Sequence, residues 1–354
     1  MRVRSVIWTL LLLLTAGACT RMDSDEMPGE KLDCWTLSVS GAVDAGFEGT
    51  KAVEDGDVFH NLVVLLVRDG VVMRKATWTP ETDEYVGTRS VEFRGIEVGS
   101  YDVYALANYD ATAWPYVAAA EASVAVGASF NANRVLSVTP PESLPANTPM
   151  LLTGHSVVAV DVANSLGTLK LYRPLARFRV WINNHTPYPL EVNSLSFNSF
   201  NASQTYVFGR TTESGVLSMP TGTSLNALPA YAPESTLVVE SGGRVRAYNH
   251  LFYEMRMAVG YVCRMYAKVT MRNGTTNPPS MEMGTPGTGV IMKLIDNETS
   301  QVSALSQLWR NQEVNVEVNV YYKTVEGVPQ LVVENSTWEG SGHYSSHTYG
   351  QEGD

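Results

Sequence analysis

The stretch NLVVLLVRDG, residues 61–70, predicts a β-strand that ends in a tight turn. Residues 62–67 are apolar without interruption, which is typical of a strand buried on both faces. Asp69-Gly70 follows at once and favours a two-residue hairpin, because both residue types tolerate the positive φ of such turns. The stretch therefore predicts a strand at the centre of the fold with a partner strand directly after it.

Much of the chain on either side of this stretch alternates apolar and polar residues, which is the pattern of half-buried strands. In CWTLSVSGAV, residues 34–43, one face carries Trp35, Leu37 and Val39. In RPLARFRVWINN, residues 173–184, it carries Ala176, Phe178, Val180 and Ile182. In YVCRMYAKVTMRNG, residues 261–274, it carries Tyr261, Cys263, Met265, Ala267, Val269 and Met271, and Asn273-Gly274 indicates a hairpin. These patterns predict an all-β chain with two β-sandwich domains in tandem.

The first 18 residues are predicted to form a secretory signal. MRVR supplies two positive charges, and VIWTLLLLLTAGA supplies an apolar run that ends in small residues. The run is shorter than the roughly 20 apolar residues of a membrane-spanning helix. Ala16-Gly17-Ala18-Cys19 resembles a bacterial lipobox, with Ala16 where leucine is usual. Cys19 is therefore predicted to carry acyl chains such as palmitate, and two or more chains anchor a protein stably in a bilayer.

Breaks in the alternating pattern divide the chain. Prolines interrupt residues 135–154, VLSVTPPESLPANTPMLLTG, and a domain boundary is expected soon after them. Residues 339–354 are rich in glycine and serine and are expected to be flexible. The predicted segments are a lipoprotein signal peptide at 1–18, an acidic linker at 19–31, an N-terminal β-sandwich at 32–165, a C-terminal β-sandwich at 166–340 and a flexible tail at 341–354.

Composition limits the choice of partners and of cysteine chemistry. The chain of 354 residues has a formal charge of −11 and no basic patch, which argues against a nucleic acid partner. Three cysteines are too few for a disulfide scaffold, and no CxxC spacing occurs. With Cys19 assigned to lipid, Cys34 and Cys263 either pair in an oxidising compartment or remain two separate thiols.

Catalytic constellations are absent from the sequence. GHSVV, residues 154–158, lacks the second glycine of a nucleophile elbow. His343 and His347 have a spacing that makes a metal site only on a helix, and glycine and serine surround them. No P-loop or dinucleotide-binding glycine motif occurs. We therefore expect no enzyme activity, no metal site and no cofactor.

Several short motifs resemble, in the same order, those of the Bacteroidales-type fimbrillin family, the major and minor subunits and anchors of type V pili. NLVVLLVRDG is similar to the second strand of the family, and GSYDVYALAN, residues 99–108, to the segment that follows. RPLARFRVWI is similar to the strand that opens the C-terminal domain, with Arg173, Ala176 and Arg177 at the motif positions. Later matches are VCRMYAKVTMRNG, LWRNQEVNVEVNV and VVENSTW. The family fold implied is a pair of transthyretin-like, Greek-key sandwiches.

The resemblance also implies a mechanism of assembly. In the family, a lipoprotein precursor reaches the outer membrane surface, a protease cuts after the first strand, and a strand of a neighbouring subunit refills the groove. Here Trp35, Leu37 and Val39 would fill that groove, and the acids Asp23, Asp25 and Glu26 resemble a surface-export signal or form a solvated linker. Expected partners are other fimbrial subunits, the outer membrane through the N-terminal lipid, and host or bacterial surface receptors.

Two departures from the family bear on the position in the filament. The loop GFEGTKAVEDGD, residues 46–57, contains Lys51 but no arginine, the residue after which major subunits are cut. The tail 339–354 lacks the alternating apolar residues of a donor strand. Both departures favour a tip or anchor subunit over a shaft subunit. The alternative is a surface glycan-binding β-sandwich lipoprotein, which seven tryptophans and 17 tyrosines suggest.

Replacement of Cys19 tests the lipid assignment. We expect Cys19→Ala to abolish incorporation of a labelled fatty acid, because the thiol that carries the diacylglycerol is gone. Cys34→Ala is the matched control and should label like the unaltered protein. Persistent labelling of the Cys19→Ala chain in cells would refute the assignment.

Overall fold

The structure, a computed structural model, describes residues 31–41, 59–80, 87–109, 122–137, 140, 151–163, 165–209, 217–228, 230, 237–274, 280–283, 290–291, 293–295, 302–333 and 338–341. Strands make up most of this part of the chain. Two β-sandwiches follow one another along it, and the predicted all-β fold is confirmed.

The described residues of the N-terminal half have eight strands, and all but the two-residue strand Val135–Leu136 form two sheets that enclose one core. The strands are β1 (Lys31–Gly41), β2 (Leu62–Arg68), β3 (Val71–Trp78), β4 (Thr88–Glu97), β5 (Gly99–Ala107), β6 (Val135–Leu136), β7 (Leu152–Val160) and β8 (Leu166–Leu171). One sheet has the order β4-β1-β8, and the other has the order β3-β2-β5-β7. Apolar side chains of both sheets meet in a single cluster between them.

Strand β2 is buried on both faces, as its uninterrupted apolar run predicts. Leu62, Val64 and Leu66 point into the core between the two sheets. Val63, Leu65 and Val67 belong to a second cluster that continues into the C-terminal half. Each fully buried aliphatic side chain contributes about 1.5–3 kcal/mol, so this strand holds three layers together.

The turn after β2 has the geometry that its two residues predict. Asp69 has a φ of 51° and Gly70 a φ of 72°, and β3 returns antiparallel to β2. Positive φ at both central residues defines the primed turns that match the twist of a hairpin.

The strands of the C-terminal half also form two main sheets. They are β9 (Leu175–Asn184), β10 (Leu190–Phe197), β11 (Ser199–Ala202), β12 (Thr205–Tyr206), β13 (Leu225–Ala227), β14 (Leu237–Val239), β15 (Arg244–Tyr253), β16 (Met255–Arg256), β17 (Arg264–Met271), β18 (Ser280–Met283), β19 (Val290–Ile291), β20 (Lys293–Ile295), β21 (Val302–Ala304), β22 (Gln307–Leu308), β23 (Glu313–Val325), β24 (Val328–Val333) and β25 (Trp338–Ser341). One sheet runs β15-β9-β23-β25-β20-β21, with β24 also on β23; the other runs β14-β10-β17-β18, with β19 also on β17.

Aromatic packing closes the second core. Phe178 of β9 meets Phe197 of β10 edge to face, with ring centroids 5.2 Å apart. Phe200 and Phe252 surround the same ring at 5.7 and 6.1 Å. Such edge contacts add about 0.5–1.5 kcal/mol each beyond the apolar area that they bury.

Two details of the sequence interpretation need correction at the start and end of β17. Tyr261 is not on the buried face, because the chain turns at Gly260, whose φ is 85°, and leaves Tyr261 66% exposed. Asn273-Gly274 does not form a two-residue hairpin. Thr270 pairs with Ser280, and the eight residues 272–279 connect β17 to β18.

Strand pairing crosses the boundary expected near residue 165. Strand β8 runs parallel to β1 and completes the sheet of the first sandwich, while β9 begins the second. By strand pairing, the division between the two sandwiches falls after Leu171. The remaining segment boundaries stay predictions.

The two sandwiches meet at a buried ion pair. Arg310 has no exposed surface and donates to both carboxylate oxygens of Glu254, at the end of β15; its Nε lies 3.1 Å from Oε2. Its other guanidinium hydrogens reach Thr153 Oγ1 on β7 at 3.1 Å and the carbonyls of Val207 and Tyr206 at 3.0 and 2.9 Å. A guanidinium has five N–H donors, so this one is fully satisfied. Thr153 belongs to the first sandwich, and the network therefore ties both halves together.

Removing one partner of this pair should destabilise the protein strongly. We expect Glu254→Gln to lower the free energy of unfolding by about 3–5 kcal/mol, because the Arg310 charge stays buried without its counterion. Urea denaturation followed by circular dichroism measures the change.

A surface ion pair provides the control. Arg272 pairs with Glu191 and its side chain is 52% exposed, so Arg272→Ala should change the free energy by about 1 kcal/mol or less. Equal unfolding curves for Glu254→Gln and Arg272→Ala would contradict the role of the buried pair.

Candidate functional site

The candidate site is strand β1 and the groove that it fills. Residues Lys31–Ser40 pair antiparallel with β4, and Thr36–Gly41 pair parallel with β8. The strand is therefore central, with backbone hydrogen bonds on both sides. Without β1, two strand edges and the apolar interior behind them would be exposed to solvent, and exposed edges pair readily with other chains.

The structure brings the three predicted groove residues together on the inner face of β1. Trp35, Leu37 and Val39 have no exposed surface and belong to the core between the two sheets. The outer face carries Cys34, Thr36, Ser38 and Ser40, which are half-buried. The alternation seen in the sequence is thus the alternation of burial in the structure. Whether this strand leaves during assembly stays a prediction.

A glycine makes room for Trp35. Gly167 on β8 lies under the indole: a Cβ atom added there would stand 2.6 Å from Trp35 Cζ2 and 3.1 Å from Leu37 Cδ1. Any larger residue at position 167 would therefore displace the ring. Phe93, directly opposite on β4, forms the other wall, with ring centroids 6.0 Å apart. We call these two walls and the space between them the Trp35 pocket.

Sequence reasoning missed Gly167, although a signal was present. The segment Leu166–Leu171 alternates apolar and polar residues, and a glycine within a strand often marks the close approach of another group. The sequence does not show which group approaches, because Trp35 is 132 residues away along the chain.

The indole N–H of Trp35 is buried in this pocket without an acceptor. Its Nε1 has no hydrogen-bond partner among the described residues. A buried donor without a partner costs about 1–3 kcal/mol. The shape of the ring thus matches the pocket, but its N–H group has no hydrogen-bond acceptor there among the described residues.

The two remaining cysteines do not form a disulfide with each other. Cys34 lies on the outer face of β1, whereas Cys263 is buried in the second sandwich beside Met257, with the sulfur atoms 3.9 Å apart. Burial raises the pKa of the Cys263 thiol, so this thiol stays protonated. Of the two possibilities in the sequence, the structure has separate thiols.

Several predicted positions lie outside the described residues. These are Cys19, Lys51, His343 and His347. Within the described ranges, no three histidine, cysteine or acidic side chains stand close enough to hold a metal ion. The same ranges contain no helix with the length and apolar character needed to cross a bilayer.

Aromatic side chains on the outer face of the second sandwich are covered by neighbouring groups. The Arg244 guanidinium lies 4.0 Å from the centroid of Trp181, and His185 stacks on Tyr321 at 4.6 Å and 11°. Sugar-binding platforms need an open ring face. Trp181 and Tyr321 each have one ring face covered in this way, whereas Tyr188 and Tyr261 are 42% and 66% exposed, and the glycan-binding alternative stays a hypothesis.

Solved structures share the architecture of this chain. A candidate cell adhesion protein from Parabacteroides distasonis ATCC 8503 is 14% identical, with a TM-score of 0.54, covering 90% of this chain and 99% of its own. At lower TM-scores, a fimbrillin from Porphyromonas gingivalis W83 is 12% identical (0.45; 86% and 96% covered), and the C-terminally truncated tip fimbrial protein Mfa3 from Porphyromonas gingivalis is 11% identical (0.46; 85% and 98% covered).

The likeness to the Parabacteroides distasonis protein is one of fold. No protein-family model matches the chain, and no curated protein matches it.

Truncation of Trp35 tests how much the first sandwich depends on this pocket. We expect Trp35→Ala to lower the free energy of unfolding by about 3–5 kcal/mol, since it removes a fully buried aromatic ring and leaves a cavity. Ser38→Ala, on the outer face of the same strand, should change it by less than about 0.5 kcal/mol. Urea denaturation measures both, and a Trp35→Ala protein as stable as Ser38→Ala would show that the pocket contributes little.

Proposed function

We propose that this protein is a structural or adhesive subunit of a cell-surface fimbria, assembled by strand exchange from a lipoprotein precursor. The observation that supports it best is β1, a central strand whose buried inner side chains are all apolar and which is the first strand of the described residues. A tip or anchor position fits better than a shaft position. The protein acts by binding other proteins, not by catalysis.

The position of β1 in the chain makes it replaceable. All of its inner side chains come from a single segment of 11 residues, and that segment joins the rest of the sandwich only through residues 42–58. A cut within those residues would leave β1 held by hydrogen bonds and packing alone. A strand from another subunit makes both kinds of contact, with main-chain bonds for affinity and side-chain pockets for specificity.

The lipid site and β1 belong to the same segment. Cys19 precedes the first residue of β1, Lys31, by 12 positions, a distance of at most about 40 Å for an extended chain. The first sandwich would therefore stand close to the outer membrane while the lipid remains. A cut between residues 41 and 59 would release the lipid and β1 together, which couples loss of the anchor to opening of the groove.

Tip and anchor subunits differ in the fate of β1. A tip subunit loses the strand, accepts one from its neighbour and carries the contact with a host or bacterial receptor. An anchor subunit keeps its lipid and its first strand. The loop with Lys51 and no arginine fits cleavage by a protease of different specificity in the first case, and no cleavage in the second.

Replacement of Lys51 tests the processing step. We expect cleavage after Lys51 by a trypsin-like protease, so Lys51→Ala should keep residues 19–51 attached, remain in the membrane fraction and stay out of high-mass oligomers. Lys51→Arg keeps the positive charge and should be processed like the unaltered protein. Intact-mass measurement and gel filtration of surface-expressed protein report both steps.

Normal polymerisation of the Lys51→Ala protein would count strongly against cleavage at this position. An unaltered protein that is never cut, and that stays lipidated at the base of the filament, would assign it to the anchor.

A further inference from the structure

We propose that the Trp35 pocket selects the incoming strand: the groove of this subunit accepts a donor strand that carries an aromatic side chain in register with residue 35, followed by aliphatic side chains two and four residues later. The inference rests on the proposed function, because it describes the strand that replaces β1. It specifies the chemistry of the partner, which the proposed function leaves open.

The space that β1 would leave has the shape of an aromatic ring. Gly167 removes the only side chain that could fill the space under the ring, and Phe93 stands across from it. If β1 leaves, neither of these residues can move in to close the gap, because Gly167 has no side chain and Phe93 is held in β4. A small side chain at the donor position would leave a cavity of about the size of the indole, and cavities of that kind are strongly destabilising.

The register of β1 with β4 and β8 also constrains the donor strand. The next two inner positions hold aliphatic side chains: Leu37 pairs with Val91 and Gly167, and Val39 pairs with Leu169 on the β8 side. A shift by one residue would turn the apolar face of a donor strand towards solvent. A shift by two would place its aromatic ring where Leu37 or residue 33 stands. The pocket therefore fixes the alignment of the donor as well as its composition.

The indole N–H group of Trp35 does not contribute to the recognition. Trp35 Nε1 is buried without an acceptor among the described residues, so the pocket recognises an apolar ring and gains nothing from the N–H. A donor with phenylalanine at this position avoids burying that donor group. Both phenylalanine and tryptophan should be accepted, and alanine should not.

The tail of a second copy does not meet this requirement. Tyr344 is followed by Ser346 and Thr348, and Tyr349 by Gln351 and Gly353, so neither aromatic residue has aliphatic partners at the next two inner positions. Residues 344–353 of a second copy therefore do not fit the Trp35 pocket.

Peptide exchange into the full chain tests the inference. A protease recognition sequence inserted beside Lys51 allows the folded protein to be cut there, and labelled 11-residue peptides with the sequence of β1 are then added in sub-denaturing urea. Each peptide has Cys34→Ser, and the series places tryptophan, phenylalanine, leucine or alanine at position 35. We expect the alanine peptide to bind at least about 100-fold more weakly than the tryptophan peptide, the loss typical of an aromatic ring removed from a core. A Ser38→Ala peptide should bind normally.

A second variant tests the geometry itself. In the Gly167→Ala subunit the added methyl group collides with the indole, so the tryptophan peptide should bind worse than the leucine peptide, reversing the order seen with the unaltered subunit. If this subunit does not fold, the peptide series on the unaltered protein decides the question.

The outcomes separate the two proposals. Binding of the alanine peptide within about threefold of the tryptophan peptide would overturn the aromatic requirement while leaving strand exchange intact. Failure of every peptide to enter, the native sequence included, would overturn strand exchange and the aromatic requirement with it.

Discussion

The first sandwich depends on one packing constraint: three side chains of β1 must fill the space between β4 and β8. Trp35, Leu37 and Val39 are completely buried there, and the strand also supplies hydrogen bonds to both neighbours. Because the whole contribution comes from one short segment near the N-terminus, the sandwich is complete only while that segment, or another strand of the same pattern, is in place. Under the proposed strand exchange, the strand on which the first core depends most is also the strand that is replaced.

The rest of the structure is arranged so that this exchange stays local. Strand β2 belongs to two clusters at once, and its outer face packs towards the second sandwich. Arg310 and Glu254 join the two halves at a site that β1 does not touch. Opening the groove therefore removes contacts from one side of the first sandwich but leaves the connection to the second sandwich unchanged.

Local patterns predicted the strands well, and contacts distant in sequence were the ones missed. The burial of Trp35, Leu37 and Val39, the double burial of β2 and the turn at Asp69-Gly70 all follow from period and turn chemistry. Gly167 and the Arg310–Glu254 pair could not be predicted, because their partners lie far along the chain and nothing in the local sequence names them. Tyr261 continued the alternation in sequence, but β17 begins only at Arg264, after the turn at Gly260. The lipid and processing positions, Cys19 and Lys51, rest on the sequence and the fimbrillin resemblance.

A reversible lock on β1 tests the central claim most directly. Ser38 and Thr168 are partners in the parallel register of β1 and β8 and both point away from the core, and neighbouring strands bring such positions within the range that a disulfide spans. Ser38→Cys with Thr168→Cys, in a Cys34→Ser background, should hold β1 in its groove under oxidising conditions. The account predicts that locked subunits stay out of fimbriae and that a reductant restores assembly, while either single cysteine has no effect. Locked subunits that enter fimbriae as readily as reduced ones would contradict the exchange of β1 and leave only the anchor position, in which the first strand is kept.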